Sequence, residues 1–169
     1  AFLIFYMYIE DEKGLDGLPD GVKEAAAMGA EQHGEKGKWL FTLDYPSYIP
    51  FMTYSTVREL RERLYKAFSS KAFSNNENDN KEIVKGLATL RHKRALLLGF
   101  DSHADFVLAE RMAKNPLSVQ DFLDDIERKA LPFAKKEFDT LTKYANQLDG
   151  LTELKKWDGA YYAEKLKKE

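Results

Sequence analysis

Histidine is the first residue type to consider for metal binding or acid–base catalysis, and the chain has three: His33, His92 and His103. No two of them have the spacing of metal ligands, and no H-E-x-x-H motif is present. His103 and Asp105 lie two residues apart on a predicted helix, so their side chains do not converge. The chain has no cysteine, which excludes disulfides and thiolate ligands. The sequence therefore predicts surface or capping roles for the histidines and no metal-binding residue in this chain.

A serine nucleophile would need a positioned base and an oxyanion pocket. Ser47, Ser55 and Ser102 lie in predicted turns or caps, and none belongs to a G-x-S-x-G motif. The chain contains neither the phosphate-binding loop G-x-x-x-x-G-K-[ST] nor G-x-G-x-x-G. The paired carboxylates Asp124 and Asp125 lie in polar, solvated-looking surroundings. We therefore predict no catalytic and no cofactor-binding residue in this chain.

Composition narrows the class of protein to which the chain belongs. Its 169 residues fit one domain and are enough for a substantial core. A hydrophobic content of 44%, with 11 phenylalanines and 9 tyrosines, excludes disorder as the overall state. The net charge of −2 argues against a nucleic-acid-binding surface. The apolar run at residues 1–9 is too short for a bilayer, which needs about 20 residues, so no membrane partner is expected.

The fold class expected is mainly α, with two short β-strands near the N-terminus. The aromatic and β-branched run at residues 1–9 is typical of a buried strand. Pro19 suits the first turn of a helix over about 19–33. Residues 39–43 form the second strand candidate, and the sequence leaves open whether the two strands pair in parallel or antiparallel.

Residues 1–54 are therefore interpreted as strand, helix, strand and a Pro/Tyr-rich loop. Pro46 and Pro50 disfavour both a central strand and a regular helix in that loop, residues 44–54. We expect an ordered, extended segment that packs its aromatic side chains. An aromatic platform for a ligand is the alternative.

Residues 55–169 form the predicted helical part, because apolar residues recur there at helical spacing. Helices are expected at about 58–69 and at 81–98, where Gly99 ends the second. The stripe over 118–149 keeps its phase across Pro132 and predicts one kinked helix. The helix starts are predicted from pairs of a capping side chain and an acid three residues later: Thr56 with Glu59, Asp79 with Glu82, Ser102 with Asp105, and Ser118 with Asp121. The polar loop between the first two helices, residues 74–80, lacks the central glycine of a calcium-binding loop and is expected to be solvated.

The two ends of the sequence suggest a piece of a larger protein. The chain begins without Met inside an apolar run and ends inside the helical pattern of residues 161–169. We therefore expect residues 1–169 to be a single helical segment of a longer chain. In such a segment, helix faces that pack against the missing part would be exposed, and self-association would follow.

Arg91 and Arg94 lie on or beside the apolar stripe of helix 81–98. Whichever of them is buried should have an acidic or carbonyl partner. The alternative is an extended side chain whose charged end lies in water.

Three groups of motifs, in this order and spacing, resemble one known family: Gly17-Leu18-Pro19 with residues 38–48; residues 90–100 with 103–108 and 112–114; and Trp157-Asp158 with Tyr161-Tyr162. The sequence resembles the thimet oligopeptidase family of zinc metallopeptidases, most closely its bacterial peptidyl-dipeptidase (dipeptidyl carboxypeptidase) branch. The resemblance runs over about residues 3–168. Gly159 departs from it, because this branch usually has a bulky aromatic residue there.

The resemblance implies a mostly helical enzyme whose two halves enclose a deep channel for short, unstructured peptides. It also implies a zinc ion held by the two histidines of H-E-x-x-H and by a later glutamate, with the Glu of the motif acting as base toward the metal-bound water. No position of this chain matches those residues, so no catalytic, cofactor-binding or metal residue is carried over. Zinc is expected in the parent enzyme and not in this chain.

Two hypotheses of different classes follow. In the first, the chain is a scaffold, part of the channel wall, of a zinc metallopeptidase acting on short peptides (a peptidyl-dipeptidase or an oligopeptidase), and its main partner is the missing C-terminal catalytic region. In the second, it is a self-standing helical binding or adaptor domain without catalysis. The cytoplasm is the default location and the periplasm is the alternative.

Overall fold

The computed structural model describes residues 5–169 and is mainly α-helical, as predicted. The described elements are, in chain order, β1 (Met7–Ile9), α1 (Asp20–Gln32), β2 (Trp39–Phe41), α2 (Tyr45–Tyr54), α3 (Arg58–Ser69), α4 (Lys81–Leu97), α5 (His103–Leu108), α6 (Pro116–Asp149) and α7 (Gly159–Lys167), with a 3₁₀ turn at Glu12–Leu15. No helix in this part of the chain is both long and apolar enough to cross a bilayer.

The described residues fall into two compact units. The first unit consists of residues 5–71 together with Asp139–Glu169, and the second consists of Ala72–Phe138. The long helix α6 contributes residues to both units. The first unit therefore joins two parts of the chain that are distant in sequence.

The two predicted strands pair antiparallel, which resolves the alternative that the sequence left open. Met7 lies opposite Phe41 and Ile9 opposite Trp39. The strand predicted over residues 1–9 is observed at Met7–Ile9, and residues 1–4 lie outside the described part of the chain. Helix α1 packs against β2, so one face of this small sheet is covered.

The prediction of an extended segment at residues 44–54 is wrong, because these residues form helix α2. Pro46 lies in the first turn, where backbone amides have no partner within the helix. Pro50 lies farther inside and costs one hydrogen bond. Tyr48, Phe51 and Met52 have helical i, i+3, i+4 spacing and are all buried, and their burial offsets that loss.

The packing of the aromatic side chains of α2 is confirmed. Tyr48 stacks on Phe68 with ring centres 4.1 Å apart, and Phe51 meets Phe41 edge-to-face at 4.6 Å. These rings belong to the main core of the first unit, which also contains Leu64. Phe41, Tyr48 and Phe51 are buried and Phe68 is partly buried, whereas Tyr45 at the start of α2 is exposed.

The predicted helices of the second half are observed, and α6 is a single helix that contains Pro132. The end of α4 is also as predicted: Gly99 has φ +83°, its amide donates to Leu96 O at 3.1 Å, and the Phe100 amide donates to Ala95 O at 3.0 Å. This is the double hydrogen-bond pattern of a glycine-terminated helix.

Only one of the four predicted capping pairs is observed as such. Ser102 Oγ accepts the Asp105 amide at 3.1 Å at the start of α5. The cap of α6 is Asn115 rather than Ser118, because Asn115 Oδ1 accepts the Ser118 amide at 2.9 Å. Val57 precedes α3 without a side-chain cap, so the pair that begins at Thr56 is wrong. At α4 the N-cap is Asn80, one residue later than predicted, but Asp79 Oδ1 still accepts the amide of the first helical residue, Lys81, at 2.9 Å.

Candidate functional site

The three histidines lie in different elements. His33 ends α1, with Nδ1 2.8 Å from Gly29 O and Nε2 3.1 Å from Tyr6 Oη. His92 is exposed on α4, and His103 is the first residue of α5. Within residues 5–169, no group of three His, Asp or Glu side chains is placed to hold a metal ion. The residues described therefore do not fit a catalytic zinc site, which needs three protein ligands.

The serines have the turn and cap roles that the sequence predicts. Ser47 Oγ accepts the Thr42 amide at 3.0 Å, and Ser55 Oγ accepts the Val57 amide at 3.3 Å. Ser102 Oγ caps α5. Each of these hydroxyls is engaged in a local hydrogen bond to the backbone.

The buried arginine of this chain is not one of those that the sequence singled out. Arg91 and Arg94 are both exposed on α4, and the Arg94 guanidinium carbon lies 4.9 Å from the centre of the Phe106 ring. This is the alternative of an extended side chain with its charge in water. Arg61 is the buried arginine: only 1% of the residue, and 1% of its side chain, is exposed to solvent.

Arg58, Arg61 and Asp158 form what we call the Arg–Asp cluster of the first unit. Asp158 is fully buried directly before α7, and both arginines project from the first turn of α3. Arg58 donates two hydrogen bonds to the carboxylate, from Nε at 2.9 Å and from Nη2 at 2.7 Å. Arg61 Nη2 adds a third at 3.1 Å, and the Lys155 amide a fourth at 2.9 Å. The carboxylate is therefore saturated with donors, and such two-pronged contacts fix orientation as well as position.

The remaining donors of Arg61 are also satisfied. Its Nη1 donates to Ser55 O at 2.7 Å and its Nε to Trp157 O at 3.1 Å. The guanidinium carbon lies 4.2 Å from the centre of the Tyr161 ring. The buried guanidinium is tolerated because each of its three nitrogens donates a hydrogen bond and the group also lies against an aromatic ring.

The protonation states follow from these contacts. Burial opposes ionisation of Asp158, but the hydrogen bonds from Arg58, the Lys155 amide and Arg61 outweigh it, so the pKa of Asp158 lies below its usual value. The Asp158 carboxylate raises the pKa of Arg58. Burial, and then the hydrogen bond to Asp149 Oδ2 at 2.8 Å, raises the pKa of Tyr162. Asp158 is thus ionised at neutral pH and Tyr162 is a neutral donor.

This geometry explains the roles of the residues in the motif at 157–162. Within Trp157-Asp158-x-x-Tyr161-Tyr162, the carboxylate binds both arginines, one tyrosine ring lies against Arg61, and the other donates to Asp149. An added Cβ at Gly159 would meet no atom within 4 Å. The motif joins α3 to α7.

A groove of about 250 Å³ lies along α1, β2 and the start of α2. Its lining is mainly apolar and includes Val22, Ala26, Leu40 and Pro46, with His33 as its titratable residue. The hydroxyl residues Thr42 and Ser47 also line it. A groove of this size and chemistry fits an apolar side chain.

The second unit exposes most of its large apolar side chains. Along α4, Ile83, Leu87 and Leu90 are between 48% and 64% exposed, and along α6, Phe122 and Phe133 are 63% and 71% exposed. Exposed apolar faces on this scale are typical of surfaces that another polypeptide covers.

Comparison with known proteins identifies the family. A model of peptidase family M3 matches residues 51–169, which is more than half of the chain. The chain belongs to peptidase family M3. The match includes α3 to α7, and so contains the whole Arg–Asp cluster and both long helices of the second unit. The family-level resemblance drawn from the motifs is confirmed.

Relatives in family M3 are much longer than this chain. Oligopeptidase A of Haemophilus influenzae and that of Escherichia coli are each 42% identical to it over 94% of its length, and the match covers 24% of each relative. The dipeptidyl carboxypeptidase of Escherichia coli is 29% identical over 96% of this chain and 24% of its own length. The chain thus spans about a quarter of the length of these M3 proteins. The predicted peptidyl-dipeptidase branch is not confirmed, because the relatives named oligopeptidase A are more similar.

Proposed function

We propose that this chain is a scaffold segment of a longer M3 metallopeptidase that hydrolyses short peptides. The observation that carries the proposal is the 42% identity to oligopeptidase A over 94% of this chain. The exposed apolar faces of α4 and α6 support it, because they match surfaces that pack against further polypeptide. In this proposal the catalytic zinc is held by residues of the longer protein that lie outside this segment.

We propose further that the longer protein is an oligopeptidase and that it cleaves its peptides internally. The higher identity to oligopeptidase A than to dipeptidyl carboxypeptidase, 42% against 29%, supports this choice. Release of dipeptides from the C-terminus is the alternative that the motifs favoured.

The first unit contributes rigidity in this proposal. The Arg–Asp cluster links α3 to α7 across about a hundred residues of sequence, with partner separations of 97 and 100. A catalytic metal site elsewhere in the longer protein needs walls that hold their geometry, and a buried carboxylate that accepts four hydrogen bonds provides such a fixed point.

The test uses the whole reading frame that contains this segment. Purified protein is assayed on internally quenched peptides of about ten residues, with and without a chelator, and the products are identified by mass spectrometry. Internal cleavage that a chelator abolishes and zinc restores is expected. Successive release of C-terminal dipeptides would overturn the oligopeptidase assignment, and a reading frame that ends just after Glu169 and gives no activity would favour the adaptor hypothesis.

A further inference from the structure

The N-terminal half of α6 carries a continuous apolar stripe on its surface. Phe122, Leu123, Ile126, Ala130 and Phe133 lie within an arc of about 100° when they are projected at 3.6 residues per turn. All five are exposed, including Phe122 at 63%, Ile126 at 45% and Phe133 at 71%. We call these five residues the α6 face.

The C-terminal end of the same helix shows how such a stripe is used. Within the first unit, Leu141 and Ala145 of α6 pack with Tyr161 and Tyr162 of α7. The chain around α7 runs opposite to α6 there: Tyr162 Oη donates to Asp149 Oδ2 at 2.8 Å, and just beyond the end of α7, Glu169 Oε1 accepts from Tyr144 Oη at 3.0 Å. In the first unit, part of the stripe thus packs against side chains of an antiparallel helix.

We propose that the α6 face in the second unit docks a second amphipathic helix, supplied by the same polypeptide from the part of the longer protein that lies outside this segment. The inference rests on the proposed function and names the partner that the scaffold meets. The relatives extend for about three times the length of this segment beyond it, since the match covers 24% of each of them. That length supplies the helices that such a face requires.

A bound peptide is a poorer fit to the α6 face. An extended peptide needs hydrogen-bond partners for its main chain, and ligand sites provide them through a few placed polar groups. The five residues of the face have no polar side-chain atom, and a helix interior uses its backbone groups internally. Contact between two apolar helix surfaces needs neither main-chain hydrogen-bond partners nor placed polar groups.

A second copy of the chain is also a poorer fit. From Phe122 to Phe133 the face is only about 16 Å long, at 1.5 Å per residue, and about 10 Å wide. Two copies of such a strip bury well under the roughly 1,200 Å² at which stable, specific interfaces begin. A helix of the same polypeptide escapes most of the entropic cost of association, so the same small area is sufficient.

Hydrogen exchange tests the proposal on the full-length protein that contains the segment. We expect the amides of residues 122–133 to exchange at least about 100-fold more slowly there than in the 169-residue chain alone, at any protein concentration and without peptide. Equal exchange in the two proteins would overturn the proposal. So would protection that is lost on dilution, which indicates a second copy, or protection that arises only with a non-hydrolysable peptide, which indicates substrate.

Substitutions identify the face that is covered. In the full-length protein, Phe133→Gln and Ile126→Gln should each raise the exchange rate over residues 122–133 by at least about tenfold. The control Lys135→Gln places the same side chain at an exposed position on the other side of α6 and should leave exchange unchanged. In the 169-residue chain all three should preserve helicity, because glutamine is a good helix former and the sites are exposed. Equal effects of Phe133→Gln and Lys135→Gln would overturn the assignment.

The docking proposal is tested separately from the proposed function, because hydrogen exchange is measured without catalysis. Protection of residues 122–133 in a full-length protein that hydrolyses no peptide would leave the docking proposal standing and overturn the proposed activity. A reading frame that ends at Glu169 would overturn both.

Discussion

Two guanidinium groups, those of Arg58 and Arg61, donate hydrogen bonds to the buried carboxylate of Asp158. At the scale of single residues, these contacts decide which substitution in the first unit should cost most stability. Arg58 is partly exposed, with 36% of its side chain open to solvent, whereas Arg61 and Asp158 are almost fully enclosed. An intact buried pair adds little net stability, but removal of one partner leaves polar groups without water or hydrogen bonds. Arg61 is therefore the residue whose loss should cost most.

We expect Arg61→Met to lower the free energy of unfolding at pH 7 by about 3 kcal/mol. Methionine fills a similar volume but leaves Ser55 O, Trp157 O and one lone pair of Asp158 without their donor. Arg63→Met is the matched control, because Arg63 is exposed on the same helix and its loss should change stability by less than about 0.5 kcal/mol. Urea unfolding of both variants measures the difference, and equal midpoints would contradict the role given to Arg61.

The lowered pKa of Asp158 predicts a defined pH dependence. The group is ionised more readily in the folded than in the unfolded protein, so it contributes stability above its usual pKa of 3.8. That contribution disappears as the pH falls through the lowered folded value. The stability gap between the natural chain and Asp158→Asn should therefore be constant from pH 7 to about 5 and shrink below about 4. A gap that widens in acid, in unfolding curves recorded from pH 7 to 2.5, would show the opposite sign.

The sequence did not reveal the Arg–Asp cluster, and the reason is distance along the chain. Arg58 and Arg61 have the i, i+3 spacing of an ordinary solvated helix face, and their partner lies about a hundred residues later. The motif containing Asp158 carries a resemblance to a family, but its residue types do not indicate what the carboxylate binds. The local roles of Ser47, Ser55 and Ser102, in contrast, depend on neighbours within five residues and were predicted.

At the scale of elements, α6 and α2 each contain an internal proline, but the sequence predicts the helix only in α6. The stripe of α6 extends over many turns on both sides of Pro132, so its period overrides one unfavourable residue. Helix α2 has only ten residues, fewer than three turns, and its two prolines outweigh so short a helical pattern in the sequence. Tertiary burial of Tyr48, Phe51 and Met52 decides the conformation, and that burial is visible only in the folded chain.

The loop before α1 contains a position that requires glycine. Gly17 has φ +82°, and a Cβ there would lie 2.3 Å from the carbonyl oxygen of Tyr54 at the end of α2. The same contact region includes a hydrogen bond from the Thr56 amide to Asp16 O at 2.9 Å. Because the obstacle is backbone, no rotation of a side chain relieves it.

We expect Gly17→Ala to lower the free energy of unfolding by at least about 2 kcal/mol, from the strained backbone and the displaced loop together. Gly21→Ala is the matched control in the first turn of α1, where an added Cβ meets nothing within 4 Å. That change should raise stability by up to about 1 kcal/mol, since alanine restricts the unfolded chain. Thermal unfolding of both variants decides the matter, and a harmless Gly17→Ala would contradict the proposed close approach.

At the scale of the whole molecule, the two units differ in how much apolar surface they bury. The first unit contains both clusters of buried side chains, whereas the fully buried apolar residue described in the second is Ala95. The stabilisation available from burial is proportional to the apolar area removed from water. Burial of apolar side chains therefore stabilises the second unit less than the first.

The 169-residue chain should self-associate weakly when it is prepared alone, through its exposed apolar side chains as a whole rather than through a specific pairing of α6 faces. We expect its mass from light scattering to rise with concentration between about 5 and 200 µM and a hydrophobic dye to fluoresce on binding. Hydrogen exchange should be slow in α2 and α3 and fast in α4. A strictly monomeric chain that binds no dye would contradict the account of the second unit.

Zinc titration by calorimetry tests the central claim most directly, namely that this segment is scaffold and that the metal site of the peptidase lies elsewhere in the longer protein. The full-length protein, stripped of metal, should bind one zinc ion with sub-micromolar affinity, and the 169-residue chain should show no stoichiometric binding at the same concentration. Stoichiometric, sub-micromolar zinc binding by the 169-residue chain alone would contradict the account.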